Sequence, residues 1–411
     1  MAAVVLLAVV AGALRLWRLG DWGFYFDELY TVEDSLHFSW DPNAPVASGA
    51  TLPAVFTPVT YLLTRLAFGV WGVNEWSARL PSAVAGAVAV ALFYVLFARM
   101  SCRRMGGLGA LLIAVSPWHI YHSQEARFYA LLFLFGGASA FAFYIGLERG
   151  SRAWMFASAL LLLFALLTQT AAVFVGVAFV TYLVALYILP YEKPLGLRGR
   201  TLVWFFLPLL ISGVILVPFA LNVLQRWGMR AEDYGYTAVH IVQAVGYNFG
   251  VPLLAVAGFG LIESFRRRER LGLFGAVYAG VPLLLLLLAT VVLKAGMGPR
   301  YLLAALPGFF LLSAYGGVQI LRYLSPRSVW LATGVVALML TAQLPLLMSY
   351  YVDGDRADYR RAAAFLAAHA APQDVIMTPQ SPYTLKYYLR RPVELLTVSE
   401  ETLRRFEQSP G

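Results

Sequence analysis

Apolar runs long enough to cross a bilayer recur along almost the whole chain. They lie near residues 2–19, 80–99, 107–122, 128–147, 154–169, 171–189, 201–221, 249–264, 272–293, 302–321 and 329–349. Spanning hydrocarbon takes roughly 20 such residues per helix, because a helix satisfies its own backbone N–H and C=O groups there. The repetition points to an all-α polytopic membrane protein with about 11 transmembrane helices. Composition agrees: 60% of residues are hydrophobic and 13% charged, about half the charged share of a soluble domain. Arg15 and Arg18 follow the first apolar residues, with no basic stretch before them and no small-residue cleavage pattern. That run therefore reads as a retained first span, not a signal peptide.

The formal net charge is +9, and its placement matters more than its size. Basic residues gather in short loops: Arg99, Arg103 and Arg104; Arg149 and Arg152; Lys193, Arg198 and Arg200; Arg266, Arg267, Arg268 and Arg270; Arg322 and Arg327. Cytoplasmic loops carry such an excess, so these loops and the N-terminus are expected inside. Residues 20–79, the turn at Glu125, residues 222–248, residues 294–300 and the C-terminal tail are then extracytoplasmic. The basic charge sets orientation in the membrane, and nucleic acid is not an expected partner. The single cysteine, Cys102, excludes an internal disulfide and a cysteine-built zinc site.

The first outer loop, 20–79, is too long for a connector. It predicts a helix near 28–38 and interfacial helices within "PAVFTPVTYLLTRLAFGVWG", where Pro53, Pro58, Thr60, Thr64 and Arg65 interrupt the apolar residues. Trp17, Trp22, Trp40, Trp71 and Trp76 suit a belt at headgroup level. After residue 350 the composition changes. "DYRRAAAFLAAHAAPQDVIMTP", "SPYTLKYYLRRPVELLTV" and "SEETLRRFEQ" predict a small C-terminal α/β appendage over 351–411, following a membrane domain over 1–350. The last helix-like segment runs almost to Gly411, which leaves the completeness of the appendage open. Roughly 60 residues give marginal stability alone.

Three outward-facing places carry chemistry. "DWGFYFDELYTVEDS", residues 21–35, holds five of the chain's 22 acids. Within it Asp27 and Glu28 read either as a base at the membrane surface or as a solvated or helix-capping acid. In "SPWHIYHSQEARFYALL", Glu125 and Arg127 interrupt an apolar hairpin; such ionisable groups are costly and mark function or an anchoring ion pair. His119, His122 and Glu125 stand three apart, a spacing that splays on a helix and makes them weak metal ligands. In "KAGMGPRYLLAALP", Lys294 and Arg300 sit on an irregular turn against the inside bias of positive charge, suited to a phosphate or to lipid headgroups. No GxxxxGK[ST], HExxH or GxSxG pattern occurs. Acids that take a proton beside cations that hold a phosphate suggest chemistry on a phospholipid-like substrate.

An ordered set of motifs resembles the GT-C glycosyltransferases of the protein O-mannosyltransferase and aminoarabinose transferase superfamily (glycosyltransferase family 39-like). "FDEL" follows the first span, a G-x-x-E-x-x-x-R-x-P junction lies in "GVNEWSARLP", the hairpin reads "SQEARFYAL", and "GPRYLLAALP" opens a late span. The resemblance implies transfer of a sugar from a polyprenyl-phosphate-sugar donor to a lipid, glycan or protein acceptor at the outer face of the plasma (inner) membrane. It implies Asp27 as the catalytic base, supported by Glu28. Glu125, Arg127, Tyr129, Lys294, Arg300 and Tyr301 would bind substrate, with Arg300 holding the leaving phosphate. One base in line with the anomeric carbon predicts inversion. No obligatory cofactor is expected, although a divalent metal stays open. Many relatives open the interfacial helix with His-Pro-Pro; here it reads Phe56, Thr57, Pro58, so that histidine's role is absent. A transporter or flippase of lipid-linked sugars is the alternative. It would place its polar groups near the bilayer midplane in repeated halves, whereas these charges sit at one surface.

Overall fold

The computed structural model describes residues 2–42, 44, 54–197, 199–228, 236–293, 297–324, 329–341, 343–352, 356–378 and 382–395. Lys294, Arg198, Arg327 and the expected last helix in "SEETLRRFEQ" lie outside these residues.

The chain opens with α1 (Ala2–Leu16), then α2 (Phe26–Leu36) and α3 (Pro58–Trp71) of the first loop. The bundle continues through α4 (Glu75–Met100), α5 (Arg103–Val115), α6 (Pro117–Ser123), α7 (Tyr129–Arg149), α8 (Arg152–Leu166), α9 (Val173–Ile188), α10 (Val203–Gly228), α11 (Ala238–Arg267), α12 (Arg270–Val291) and α13 (Leu306–Tyr323). Helices α14 (Val329–Leu340) and α15 (Gln343–Val352) close it. The appendage follows as α16 (Tyr359–His369), β1 (Met377–Thr378), α17 (Pro382–Leu389) and β2 (Glu394–Leu395).

Local chemistry sets the boundaries. Asn74 starts α4 by accepting the Ser77 amide through Oδ1 at 2.9 Å, while Ser77 Oγ accepts the Asn74 amide at 3.2 Å, a reciprocal cap. Helix α7 ends at Gly150, whose φ of 61° is a left-handed stop. The expected span 107–122 is broken: Ser116 caps a new helix whose first residue is Pro117, so α5 ends at Val115. The run 329–349 is likewise divided, with the two parts bent by 48°. In the other direction, residues 238–248, expected in a loop, form the first part of α11. That helix kinks at Gly250 (φ 69°), two residues before Pro252 removes a backbone donor.

Among the described residues, five helices are long and apolar enough to cross a membrane, or six if the bent pair counts as one. The helices Ala2–Leu16, Arg152–Leu166 and Arg200–Val214 are apolar but shorter. The expectation of eleven spans counted apolar runs, one of which, 107–122, the structure divides at Ser116 and Pro117.

Helix α7 is the axis of the bundle and is buried along nearly its whole length. Phe93 and Phe97 of α4 pack edge-on against Phe141 of α7, with ring centroids 5.0 and 4.7 Å apart. Helices α11 and α13 cross at Gly260 and Gly316, where a Cβ on Gly316 would stand 2.1 Å from the Val256 carbonyl oxygen. Small residues allow that backbone approach, a common device between membrane helices.

Helix α3 buries Thr60, Tyr61, Thr64, Ala67 and Phe68 and exposes Leu66, Val70 and Trp71. Its two buried threonines face protein while Leu66, Val70 and Trp71 face outward, as suits a helix lying against hydrocarbon. The appendage has a small core of Ala363, Ile376 and Leu385 and a parallel strand pair, Met377 with Glu394 and Thr378 with Leu395. It docks on the first loop: the Tyr388 hydroxyl accepts the Phe24 amide at 2.6 Å and donates to Glu75 at 2.7 Å.

Candidate active site

The helices alternate in direction, so the start of α2, the start of α7 and the turn before α13 meet at one end of the bundle. Asp27 and Glu28 occupy the first turn of α2, where the N-terminal dipole favours negative charge. They are neighbours in sequence and differ completely in surroundings.

Glu28 is fully buried. Arg79 of α4 grips it with two bonds, Nε to Oε1 at 2.8 Å and Nη2 to Oε2 at 2.7 Å. The Tyr25 amide donates to Oε2 at 2.9 Å and the Ala126 amide to Oε1 at 2.8 Å. The Tyr25 contact is the return half of a helix cap, so the capping reading applies to Glu28. Burial alone would raise its carboxyl, but Arg79, with Arg356 farther off, overrides this and holds it down at about 2. Arg79 also donates to the carbonyls of Leu19, Trp22 and Gly23. Every oxygen of Glu28 is engaged, and the pair fixes the path of the loop from α1 into α2.

Asp27 points the other way and keeps 19% of its side chain exposed. It forms an ion pair with Arg300, which follows Gly298 and Pro299 at the start of a 3₁₀ turn, Pro299–Ala304. Arg127, from the loop before α7, donates to the Asp27 carbonyl at 2.8 Å and to Thr31 Oγ1 at 3.2 Å. The Arg300 guanidinium lies 6.0 Å from the centre of the Tyr129 ring, and Tyr301 meets Tyr129 edge-on at 6.2 Å. Arg127 Nε, Arg300 Nε and the Tyr129 hydroxyl are buried without a hydrogen-bond partner. Buried polar atoms are seldom left so, and all three belong to residues that contact Asp27 or its partner Arg300. The cluster has capacity for a further anion.

The structure thus brings Asp27, Arg127, Tyr129, Arg300 and Tyr301 together and turns Glu28 inward beside them. Glu125 binds His122 at 2.7 Å, and the His122 ring lies 4.9 Å from that of Tyr129. His119 faces another partner, accepting Arg15 Nη2 through Nδ1 at 2.7 Å. A guanidinium against one histidine and a carboxylate against the other do not make a cation site. Among the described residues no group of three His, Cys, Asp or Glu is arranged to hold a metal ion.

Sequence reasoning quoted the junction motif yet gave Arg79 and Glu75 no role; the motif itself was the available signal. It also missed Gln124, whose amide donates to the carbonyls of Arg15 and Trp17 at 3.1 and 2.8 Å and ties down the end of α1. Arg356 was missed as well. It donates to the carbonyls of Gln124 and Tyr121 at 2.7 and 2.8 Å and stands 3.9 Å from Glu28. No local pattern marked it.

Residues 55–216, from the approach to α3 into α10, match the family described as dolichyl-phosphate-mannose-protein mannosyltransferase. The fold is similar to that of ArnT from Cupriavidus metallidurans in a crystal structure bound to undecaprenyl phosphate. The TM-score is 0.66 and the identity 16%, over 99% of this chain and 88% of that one. The chain has the GT-C fold. A second GT-C structure, the oligosaccharyltransferase from Archaeoglobus fulgidus, aligns at a TM-score of 0.64 and 11% identity, over 95% of this chain and 64% of that one. The archaeal oligosaccharyltransferase AglB from Archaeoglobus fulgidus, in complex with an inhibitory peptide and a dolichol-phosphate, aligns at 0.55 and 13% identity, covering 95% of this chain and 64% of its own. A search of curated proteins finds no match. With this fold and helices long and apolar enough to cross a membrane, the protein is an integral membrane protein. The family match includes Arg79, Glu125, Arg127 and Tyr129, while Asp27 and Arg300 lie beyond its limits and rest on the geometry above.

Proposed function

We propose that the protein is a glycosyltransferase that moves a sugar from a polyprenyl-phosphate donor to an acceptor hydroxyl at the extracytoplasmic face. The observation that carries this reading is the Asp27–Arg300 pair with the unpartnered donors of Arg127, Arg300 and Tyr129 beside it. The ArnT structure with undecaprenyl phosphate and the AglB structure with dolichol-phosphate support a lipid phosphate as the leaving group. The basic loops at the opposite end support an outward-facing site.

In this mechanism Asp27 Oδ takes the proton of the acceptor hydroxyl. The acceptor oxygen forms a bond to the anomeric carbon as the bond from that carbon to the phosphate oxygen breaks. The electron pair leaves with the polyprenyl phosphate. Positive charge develops on the sugar ring, as in other glycosyl transfers, and a single displacement inverts the anomeric centre. The leaving phosphate needs cationic stabilisation more than a proton. Arg300 and Arg127 supply it with the Tyr129 hydroxyl, and Tyr301 and Glu125 flank the sugar. Lys294 is a further cation for the phosphate. Glu28 positions Asp27 through α2 without touching substrate. Asp27 and Arg300 are each other's counter-ion, so a phosphate drawn to Arg300 frees the carboxylate for the acceptor. Among the described residues no group of three ligands gathers around Asp27, and no step passes through a metal ion.

The test uses the full-length protein in lipid with a panel of polyprenyl-phosphate sugars, following acceptor-dependent release of polyprenyl phosphate. Asp27→Asn is expected to lower the rate on the order of 10³-fold with unchanged insertion. Full activity in that variant removes Asp27 from the mechanism. Donors carried across the bilayer without release would replace the transferase reading by a transporter.

A further inference from the structure

At the end of the bundle opposite Asp27, helices α8 and α10 enclose a groove of about 610 Å³ lined by Arg152, Phe156, Arg200, Trp204, Leu207 and Ile211, among others. Helix α7 separates the two ends; its 21 residues put the groove about 30 Å from the candidate active site. The groove therefore belongs to neither donor nor acceptor.

Most other arginines at this end are engaged. Arg270 holds Glu148 with two bonds of 2.8 and 2.6 Å. Arg266 and Arg267 hold Glu263, and Arg149 donates to the Arg99 carbonyl. Arg152 and Arg200 make no side-chain hydrogen bond or ion pair to any described residue, and both line the groove at its rim. Below them the wall is apolar: Phe156 is 46%, Leu207 50% and Ile211 54% exposed. Trp204 stands one turn from Arg200, where the headgroup region favours an indole.

We propose that this groove binds one anionic phospholipid. Its phosphate lies between the Arg152 and Arg200 guanidiniums, and one acyl chain runs along Phe156, Leu207 and Ile211. Two forked cations recognise phosphate oxygens, and their combined charge disfavours a headgroup that carries its own ammonium. The apolar wall selects an amphiphile over a soluble phosphate. The proposal needs only that the protein sits in a membrane and is independent of the transferase reading.

Native mass spectrometry of the full-length protein in detergent tests it, with phosphatidylglycerol and phosphatidylcholine of the same chains offered at equal concentration. One phosphatidylglycerol is expected to remain bound where phosphatidylcholine does not. Arg152→Gln with Arg200→Gln should weaken retention about 25-fold, since each basic residue beside anionic lipid contributes roughly a fivefold factor. Ile211→Trp, which fills the groove and leaves both arginines in place, should also abolish retention. Arg266→Gln, on the same basic end but outside the groove, should not change it. Equal retention of phosphatidylcholine, unchanged retention in the double variant and in Ile211→Trp, or displacement by inorganic phosphate at the same concentration would each overturn the proposal.

Discussion

Asp27 and Glu28 show how two adjacent carboxylates take different work from their neighbours. One rotation of the chain gives Glu28 to Arg79 and Asp27 to Arg300. Arg300→Lys keeps the charge but removes the planar fork and the contact over Tyr129. The expected result is a slower chemical step with little change in folding, by roughly 10²-fold in kcat on polyprenyl-phosphate sugar. Steady-state kinetics beside a thermal melt would show it. Glu28 predicts a stability effect instead. Its folded pKa of about 2 lies below the ordinary value of 4.5. Its contribution is therefore complete above about pH 4.5 and is lost as pH falls from there toward 2. Glu28→Gln leaves Arg79 buried without a counter-charge, a loss of about 3–5 kcal/mol. Melts of wild type and variant should differ widely at neutral pH and converge as the solution is acidified through that window. Residue type and spacing placed both acids at a helix start and did not tell them apart; only the family resemblance gave Asp27 the role of base and Glu28 a supporting part. What distinguishes them is a partner 51 residues away for one and 273 for the other, and such distances leave no periodic trace.

At the scale of elements, patterns within ten or twenty residues were legible and their interruptions were less so. Helix α2 and the interfacial α3 lie where apolar spacing and proline positions put them. Residues 107–122 looked like one span because hydropathy averages over Ser116 and Pro117, which together end one helix and begin another. The first part of α11 looked like a loop because its polar residues dilute its apolar ones. Helix crossings were not legible, since a glycine's meaning depends on the helix opposite. Gly316→Ala would drive a Cβ into the Val256 carbonyl. It is expected to lower stability by about 1–3 kcal/mol and to separate α11 from α13. Gly280→Ala in α12, with nothing within 4 Å of the added Cβ, should be neutral or stabilising by up to about 1 kcal/mol. Detergent-resistance melts of the two variants would read both.

Over the whole molecule, the appendage and the membrane bundle act as one unit. Tyr388 reaches Phe24 and Glu75, Arg360 lies 3.4 Å from Glu75, and Arg356 is sealed under Trp22 and Tyr121. A small α/β segment was legible in the sequence, yet its docking was not, because the contacts join residues more than 230 positions apart. Arg356→Ala removes the bonds to Gln124 and Tyr121. The residues after 350 should then become accessible to protease while the bundle stays folded, and transfer should fall about tenfold through loosened support of α2. Limited proteolysis and activity on the same preparation would test the coupling.

The position of Arg300 and Arg356 in the chain has a consequence for biosynthesis. Asp27 leaves the ribosome before its counter-ion, which follows 273 residues later, and the residue bracing Gln124 comes later still. Until those segments have been threaded through the membrane, α2 carries an unneutralised acid and an unfinished seat. Competence therefore waits for the segment that carries Arg300 and Arg356, and a nascent chain interrupted before Arg300 displays the acid without the cation that completes it.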